Sequence, residues 1–498
     1  MINVGFVGCG RIADLHCLGY KDNPHARIRA VCDVDPERAE RRRFEWGAER
    51  AYTKYRDLLQ NPDIDAIEVL TPFETHEKVV IDALKAEKHV AVQKPMTTTL
   101  RSADRMLAAA EKTGKVFKVT ECYVCWPPLV LAKQLIEAGR IGDPLGMRIK
   151  YICSPHGGWD VPPSTLQQQL EKAAKGFGLE TFDHGHHEWA TAWYLLGAIE
   201  RVSAWIDSVD GLLDCPATIM WKYQDGKRYG IADFMFAPEM HMPTRYYPND
   251  EWYEVNGSRG ILLVNRGTGN ILEGPSVSLF DGHTWEHFSH VPSDWSEGFI
   301  GATRNFIAAI RGEEPPLLTG AQGREILLFA TAIARSARKR RDVYLDEFDK
   351  PIPSLFAWGR RRRERREVIV GGRNRTARGG FFVRPSKYAP QAMALMEKIQ
   401  ERFDSRAAEG WNCVLGIELT PDGGVEGGKF GLRVHDGKLD VTQGDLPEDA
   451  MLTLRMPAGT WAAILLGKMR IETAVLRGKI KYEGRGEEGL RLRTVFRL

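Results

Sequence analysis

Residues 2–8, INVGFVG, form a short continuous apolar run that closes on glycine, and a helical pattern follows over 11–21. IRAVCD (28–33) is a second such run, ending in an acid, and DPERAERRRFEWG after it reads as a charged helix. AIEVLT (66–71), a helix over 74–87, HVAVQK (89–94), a helix over 100–113 and VFKVTECY (116–123) continue the alternation. Short strands without interleaved polar positions, each followed by a helix, predict a parallel sheet covered on both faces.

The pattern changes after about residue 125. One helix follows (129–138), and then longer alternating runs: GMRIKYICS, ERVSAWIDSV, ATIMWKYQ, RYGIADFMF, EWYEVNG, GILLVNR and SVSLFDG. Polar turns separate them, which predicts a largely antiparallel sheet with one solvated or partner-facing side. Helical periodicity returns in GFIGATRNFIAAIRG and GREILLFATAIARSARKRR. Residues 351–380 are rich in Arg and Gly and poor in core formers, and read as a linker or exposed arm. A helix over 389–403 and strands around WNCVLGIELT, KFGLRVHDGKLDVTQG and AMLTLRMP then form another unit. The expected organisation is an α/β domain over 1–125, an α+β open-sheet domain over 126–350, a linker over 351–388 and a small α+β domain over 389–498.

The chain is 498 residues long, with 43% hydrophobic and 27% charged residues and a net charge of +3. This suits a globular protein of several domains and gives no global electrostatic case for nucleic acid or membrane. No apolar run approaches the roughly 18–20 residues that span a bilayer. The N-terminus enters a strand directly, and the eight cysteines suggest no disulfide framework, so the cytoplasm is the expected compartment. The run of arginines at 360–366 reads as a solvated linker.

Gly8-Cys9-Gly10-Arg11-Ile12-Ala13 fits G-x-G-x-x-[G/A] directly after a strand and at the start of a helix. The first glycine permits the turn, the second lets a pyrophosphate approach the backbone, and Ala13 permits close helix–strand packing. Asp33 ends the second strand, where a carboxylate meets ribose hydroxyls. It favours NAD over NADP: a 2′-phosphate about 4 Å away would cost roughly 4 kcal/mol per charge pair at an effective dielectric near 20. Arg38 can offset part of this repulsion, which leaves NADP as the second choice.

Thr71-Pro72-Phe73-Glu74-Thr75-His76, His89-Val90-Ala91-Val92-Gln93-Lys94-Pro95 and Asp183-His184-Gly185-His186-His187 follow in order. Together with the glycine motif they resemble the glucose–fructose oxidoreductase/inositol dehydrogenase/MocA (Gfo/Idh/MocA) family over about residues 1–348. The resemblance implies a Rossmann domain followed by an open sheet, a nicotinamide cofactor, and oxidation or reduction of a secondary alcohol on a sugar or cyclitol. It implies Lys94, Asp183 and His187 as catalytic positions, and Thr71, Pro72, His76, Gln93 and Lys94 beside the cofactor with Gly8, Gly10, Arg11, Ile12 and Asp33. It also implies a homodimer or homotetramer. Gln93 stands where the family has Glu, which alters the lysine's surroundings. Residues 430–484 resemble a sterol carrier protein type two domain, which implies an apolar tunnel; a hydrophobic ligand and mere packing are both open there.

An alcohol that loses hydride must give its hydroxyl proton to a base. His187 is the best candidate, with an ordinary pKa near 6.5. Asp183, four residues earlier, shares its face if both lie on one helix, and can orient the imidazole or the substrate. Lys94 ends the fifth strand, at the edge where open α/β sheets bind ligands, and can polarise a forming carbonyl. Tyr123, Trp159 and His186 are the candidate substrate contacts. His184, His186 and His187 share no single helical face, and no metal is expected. Cys122-x-x-Cys125 reads as buried thiols. Two alternatives stay open: a glycoside-cleaving enzyme that oxidises the sugar transiently, and a non-catalytic carrier.

Overall fold

A computed structural model describes residues 1–159, 169, 171–173, 175–208, 213–265, 267–348, 385–469, 471–476, 478–485 and 488–496. The Arg/Gly-rich stretch 351–380, with its arginines at 360–366, lies outside the described residues. The described residues form two compact units, one of residues 1–159 and 172–348 and one of residues 169, 171 and 385 onward.

The first unit begins with six strands, β1 (Ile2–Val7), β2 (Ala26–Cys32), β3 (Arg50–Tyr52), β4 (Ala66–Val69), β5 (His89–Gln93) and β6 (Phe117–Thr120). All pair in parallel, in the order β3-β2-β1-β4-β5-β6. This is the dinucleotide-binding order, with its crevice where the winding reverses beside β1. β4 is buried at every position, as a sheet covered on both faces requires. The helices follow the apolar periodicity: Arg11–Cys17, Pro36–Glu45, His76–Lys85 and Leu100–Thr113. β6 stops at Thr120, three residues short of its sequence expectation, and Tyr123–Cys125 make a single 3₁₀ turn. Helix Pro127–Glu137 begins with two prolines, whose missing N–H groups cost nothing in a first turn.

The second sheet has nine strands: β7 (Pro144–Cys153), β9 (Ile199–Ile206), β10 (Ala217–Tyr223), β11 (Tyr229–Phe236), β13 (Asn249–Gly257), β14 (Ile261–Val264), β15 (Val277–Phe280), β16 (Trp285–His287) and β17 (Val343–Tyr344). A separate short ladder joins β8 (His156–Gly157) to β12 (His241–Met242). The large sheet runs β16-β15-β14-β13-β7-β11-β10-β9-β17 and is antiparallel except between β7 and β11. Burial alternates along β7 and β10 as expected, and one face leaves Trp205, Met220, Tyr229 and Met235 exposed. Helix Gly320–Lys339 packs closely on the first sheet: a Cβ at Gly323 would lie 2.4 Å from Val119.

In the second unit, β18 (Cys413–Thr420), β19 (Gly428–His435), β20 (Lys438–Gln443), β21 (Leu452–Pro457) and β22 (Lys481–Gly484) form a sheet in the order β20-β19-β18-β21-β22. Helix Ala458–Leu465 is buried along its whole length in the core of this unit. The continuous helix expected over 389–403 is instead three short pieces, Pro385–Gln391, Ala392–Glu397 and Ile399–Arg402. Pro390 stands in the first turn of the expected helix, where a missing N–H is tolerated, and the run breaks after it, at Gln391 and Lys398.

Candidate functional site

The carboxyl ends of the parallel strands bring the chemistry together. Gly8, Asp33, Thr71, Lys94 and Glu121 follow β1, β2, β4, β5 and β6 within two residues. Gly8 has φ +101°, and a Cβ there would lie 2.6 Å from the Leu70 carbonyl oxygen. Only glycine fits that turn. Gly10 faces open space, with nothing within 4 Å of a Cβ built on it. Asp33 holds the turn from the side: its carboxylate accepts the Cys9 N–H at 2.8 Å and the Asp35 N–H at 3.0 Å, and meets Arg38 at 3.3 Å. A closed turn beside an open glycine, with a buried carboxylate at the end of β2, fits the pyrophosphate and ribose of a dinucleotide.

His76 is buried, and its ring nitrogens face the carbonyl oxygens of Thr71 (2.8 Å) and Pro95 (3.1 Å). It ties the loop after β4 to the loop after β5, and burial pulls its pKa down to about 4. Thr71 Oγ1 accepts from Thr75 at 2.7 Å. Gln93 bridges in the same way. Its amide nitrogen lies 3.0 Å from His16 Nε2 on the first helix, and its amide oxygen accepts the Lys94 N–H at 2.7 Å. The residue that replaces the family's Glu therefore anchors the lysine's backbone.

Lys94 Nζ donates to the Asp183 carbonyl oxygen at 2.8 Å and to its carboxylate at 3.3 Å. The other carboxylate oxygen takes Lys172 at 2.9 Å. Burial opposes ionisation of Asp183, but the two ammonium groups outweigh it and hold the carboxyl well below its ordinary range.

The expected shared helical face of Asp183 and His187 is not formed. Leu179–His184 is a π-helical turn, and the α-helix begins only at His186, after Gly185. The wider turn rotates Asp183 toward the lysines. His187 faces Glu121 instead, with Nδ1 2.5 Å from Oε1. Its ring stacks on Tyr123 with centroids 4.4 Å apart, and Nε2 carries no hydrogen bond among the described residues. Burial, then the charge of Lys94, drives the His187 pKa well down, while burial raises Glu121 to about 7. Neutralising the pair is thus favoured at low pH. Once Glu121 ionises it accepts a hydrogen bond from Nδ1–H, leaving Nε2 as a proton acceptor.

Of the other expected residues, Tyr123 is buried against the imidazole, its contact being with His187. His186 is buried and lines a small cavity with Lys94, Glu121 and Met96. Trp159 is half-buried in a wall with Tyr246, Tyr247 and Trp295, and the Arg11 guanidinium lies over its ring at 5.1 Å. Ile12 is partly buried beside Gly10 and packs against the core, and Pro72 precedes the 3₁₀ turn Phe73–Thr75.

Two regions match a single oxidoreductase family: residues 2–121 match its NAD-binding Rossmann fold, and residues 133–345 match its C-terminal alpha/beta domain. The chain belongs to the Gfo/Idh/MocA oxidoreductase family. Residues 394–497 match the SCP-2 sterol transfer family. The chain is 26% identical over 358 residues to myo-inositol 2-dehydrogenase of Thermotoga maritima, covering 70% of this chain and 99% of that protein. It is 30% identical over 212 residues to levoglucosan dehydrogenase of Pseudarthrobacter phenanthrenivorans, covering 41% and 53%. A probable dehydrogenase from Thermotoga maritima superposes with a TM-score of 0.57 at 25% identity, covering 70% of this chain and 99% of that one. This Gfo/Idh/MocA member is therefore an NAD-dependent oxidoreductase. No described helix is long and apolar enough to cross a membrane.

Two residues of this oxidoreductase's site escape sequence reasoning: Glu121 and Lys172. Glu121 sits in the run VFKVTECY, where a lone acid closing an apolar strand is the one available signal. Lys172 lies among other charges in QQQLEKAAKG and carries none.

Proposed function

We propose that the chain transfers hydride between NAD and a secondary alcohol or ketone of a sugar-, cyclitol- or glycoside-like substrate. The observation that carries this reading is the pair of contacts Lys94–Asp183 and His187–Glu121, joined at the carboxyl edge of the parallel sheet. Gly8, Gly10 and Asp33 hold the dinucleotide; the bound nicotinamide supplies the hydride acceptor or donor. His187 Nε2 takes the hydroxyl proton, and Glu121 receives the opposite ring proton and fixes the tautomer. The Lys94 ammonium faces the oxygen on which negative charge develops, and Asp183 holds that ammonium in place. Tyr123 keeps the imidazole plane fixed by stacking. The aromatic wall of Trp159, Tyr246, Tyr247 and Trp295 suits the apolar face of a sugar ring or an aromatic aglycone.

The inositol and levoglucosan dehydrogenases among the relatives support a sugar-like substrate. The exposed apolar residues of the nine-stranded sheet support self-association through that face. The SCP-2 match supports an apolar ligand for the second unit, which native mass spectrometry of the full chain with added fatty acid reads directly. The test of the enzymatic reading is a panel of polyols, sugars and glycosides, followed by NADH absorbance. NADH formation with at least one member supports it; release of sugar without net NADH favours the glycoside-cleaving alternative.

A further inference from the structure

Beside the proposed site a buried carboxylate has nothing to bind. Glu188 is 0% exposed, and neither of its oxygens has a hydrogen-bond partner among the described residues. His184 Nε2 lies 3.7 Å from its Oε1, too far for a hydrogen bond. The same nitrogen is 2.8 Å from Glu251 Oε1. One ligand atom from each of His184, Glu188 and Glu251 lies within 4.8 Å of the other two. Two further buried hydroxyls, near enough to interact with each other, lie toward this region. Tyr253 Oη stands two residues after Glu251, on the same face of β13, and Thr191 Oγ1 one helical turn after Glu188.

A buried carboxylate is normally paired, hydrogen-bonded or bound to a metal, and an orphan marks an ion or water that belongs there. Glu251 is a ligand already fixed in direction. Its Oε2 accepts the Thr268 N–H at 3.0 Å and the Thr268 hydroxyl at 3.0 Å, while Oε1 accepts from Asn249 Nδ2 and faces His184 Nε2. A water in the gap would satisfy oxygens but would leave two acidic side chains facing one another. A divalent ion satisfies both.

We propose that His184, Glu188 and Glu251 hold a divalent transition-metal ion, zinc in the first instance. An imidazole nitrogen with two carboxylate oxygens is a zinc-type donor set, and the nitrogen argues against magnesium or calcium. Tetrahedral bonds of about 2.0–2.2 Å set ligand atoms roughly 3.4 Å apart, so a pair at the 4.8 Å limit draws in by about an ångström while His184 Nε2 and Glu251 Oε1, now 2.8 Å apart, separate. Binding needs His184 Nε2 without its proton, which shifts to Nδ1, and an ionised Glu188, whose carboxyl burial pushes up and whose proton leaves to solvent. The fourth position takes a water, for which the Tyr253 and Thr191 hydroxyls are hydrogen-bond partners. The ion joins the segment carrying Asp183 and His187 to β13; it takes no part in hydride transfer.

The test is metal analysis of the full-length protein. The chain is stripped with EDTA, dialysed against zinc or manganese chloride, freed of loose ion and assayed by mass spectrometry of the metal. About one zinc per chain is expected, with a rise in melting temperature on reloading. Glu188→Gln and His184→Ala should each lower the zinc to about a tenth of that or less. Wild-type protein that retains neither zinc nor manganese overturns the proposal, whether or not the variants fold. So does zinc that stays fully bound in Glu188→Gln, since it would then sit elsewhere, for instance at Glu121, Cys122 and His187, which also converge.

Discussion

His187 presents its Nδ1 to Glu121, 2.5 Å away, while Asp183 turns from the imidazole to meet Lys94 and Lys172. The two acids thus serve two different bases. Glu121 sets the state of the imidazole, and Asp183 sets the position of an ammonium group. Each half of this arrangement can be broken separately.

Glu121→Gln keeps the volume and a hydrogen-bonding group but cannot take up the charge of the ring proton. Turnover is expected to fall by roughly 10–100-fold, the usual effect of losing an orienting partner, with NADH affinity unchanged by fluorescence titration. Equal turnover in variant and wild type would remove Glu121 from the mechanism.

The same residue governs stability against pH. Burial raises the folded value of Glu121 to about 7 from an ordinary 4.5, so the folded state binds this proton more tightly than the unfolded state. Stability from this group is greatest at low pH and falls as pH rises between about 4.5 and 7. Thermal melts of wild type and Glu121→Gln across that window should show the gap between them change in favour of the variant as pH rises.

Gly8 and Gly10 separate folding from binding. At Gly8 an added Cβ meets the Leu70 carbonyl at 2.6 Å, and φ is +101°, so Gly8→Ala is expected to lose about 1–3 kcal/mol of stability. Gly10 has φ −71° and open space around it, so Gly10→Ala should melt like wild type and yet bind NADH at least about tenfold more weakly. Differential scanning fluorimetry with and without NADH reads both.

Lys172→Met removes one of the two cations on Asp183. The carboxyl then loses part of what keeps it ionised, and the remaining Lys94 contact carries the whole charge. A fall in kcat of roughly 5–30-fold is expected, about 1–2 kcal/mol in barrier height, without loss of the fold. Unchanged kinetics would make Lys172 a bystander.

Much of this was legible in the amino-acid order, and the illegible parts share a cause. The parallel sheet follows from uninterrupted apolar runs such as AIEVLT, and the glycine turn follows from Gly8 and Gly10 directly after one of them. The Lys94–Asp183 contact spans 89 positions, and motif order alone pointed to it. The Glu121–His187 contact spans 66, and no local pattern announces it, because the end of β6 and the helix His186–Leu196 meet only once the chain has folded. The helical spacing of Asp183 and His187 misled for a different reason. A four-residue step gives one face only in an unbroken α-helix, and here Gly185 separates a π-helical turn from the helix proper. Residues 389–403 read as one helix because their apolar positions have helical spacing, whereas the chain breaks the run after Gln391 and at Lys398.

The most direct measurement is the pH dependence of alcohol oxidation in wild type and Glu121→Gln, using whichever member of the polyol and glycoside panel yields NADH. The expected wild-type profile rises through a single proton loss near pH 7, as the Glu121–His187 pair gives up the proton that blocks Nε2, and that limb disappears in Glu121→Gln. An identical limb in both proteins would contradict it, since the titrating group would then lie outside the Glu121–His187 pair.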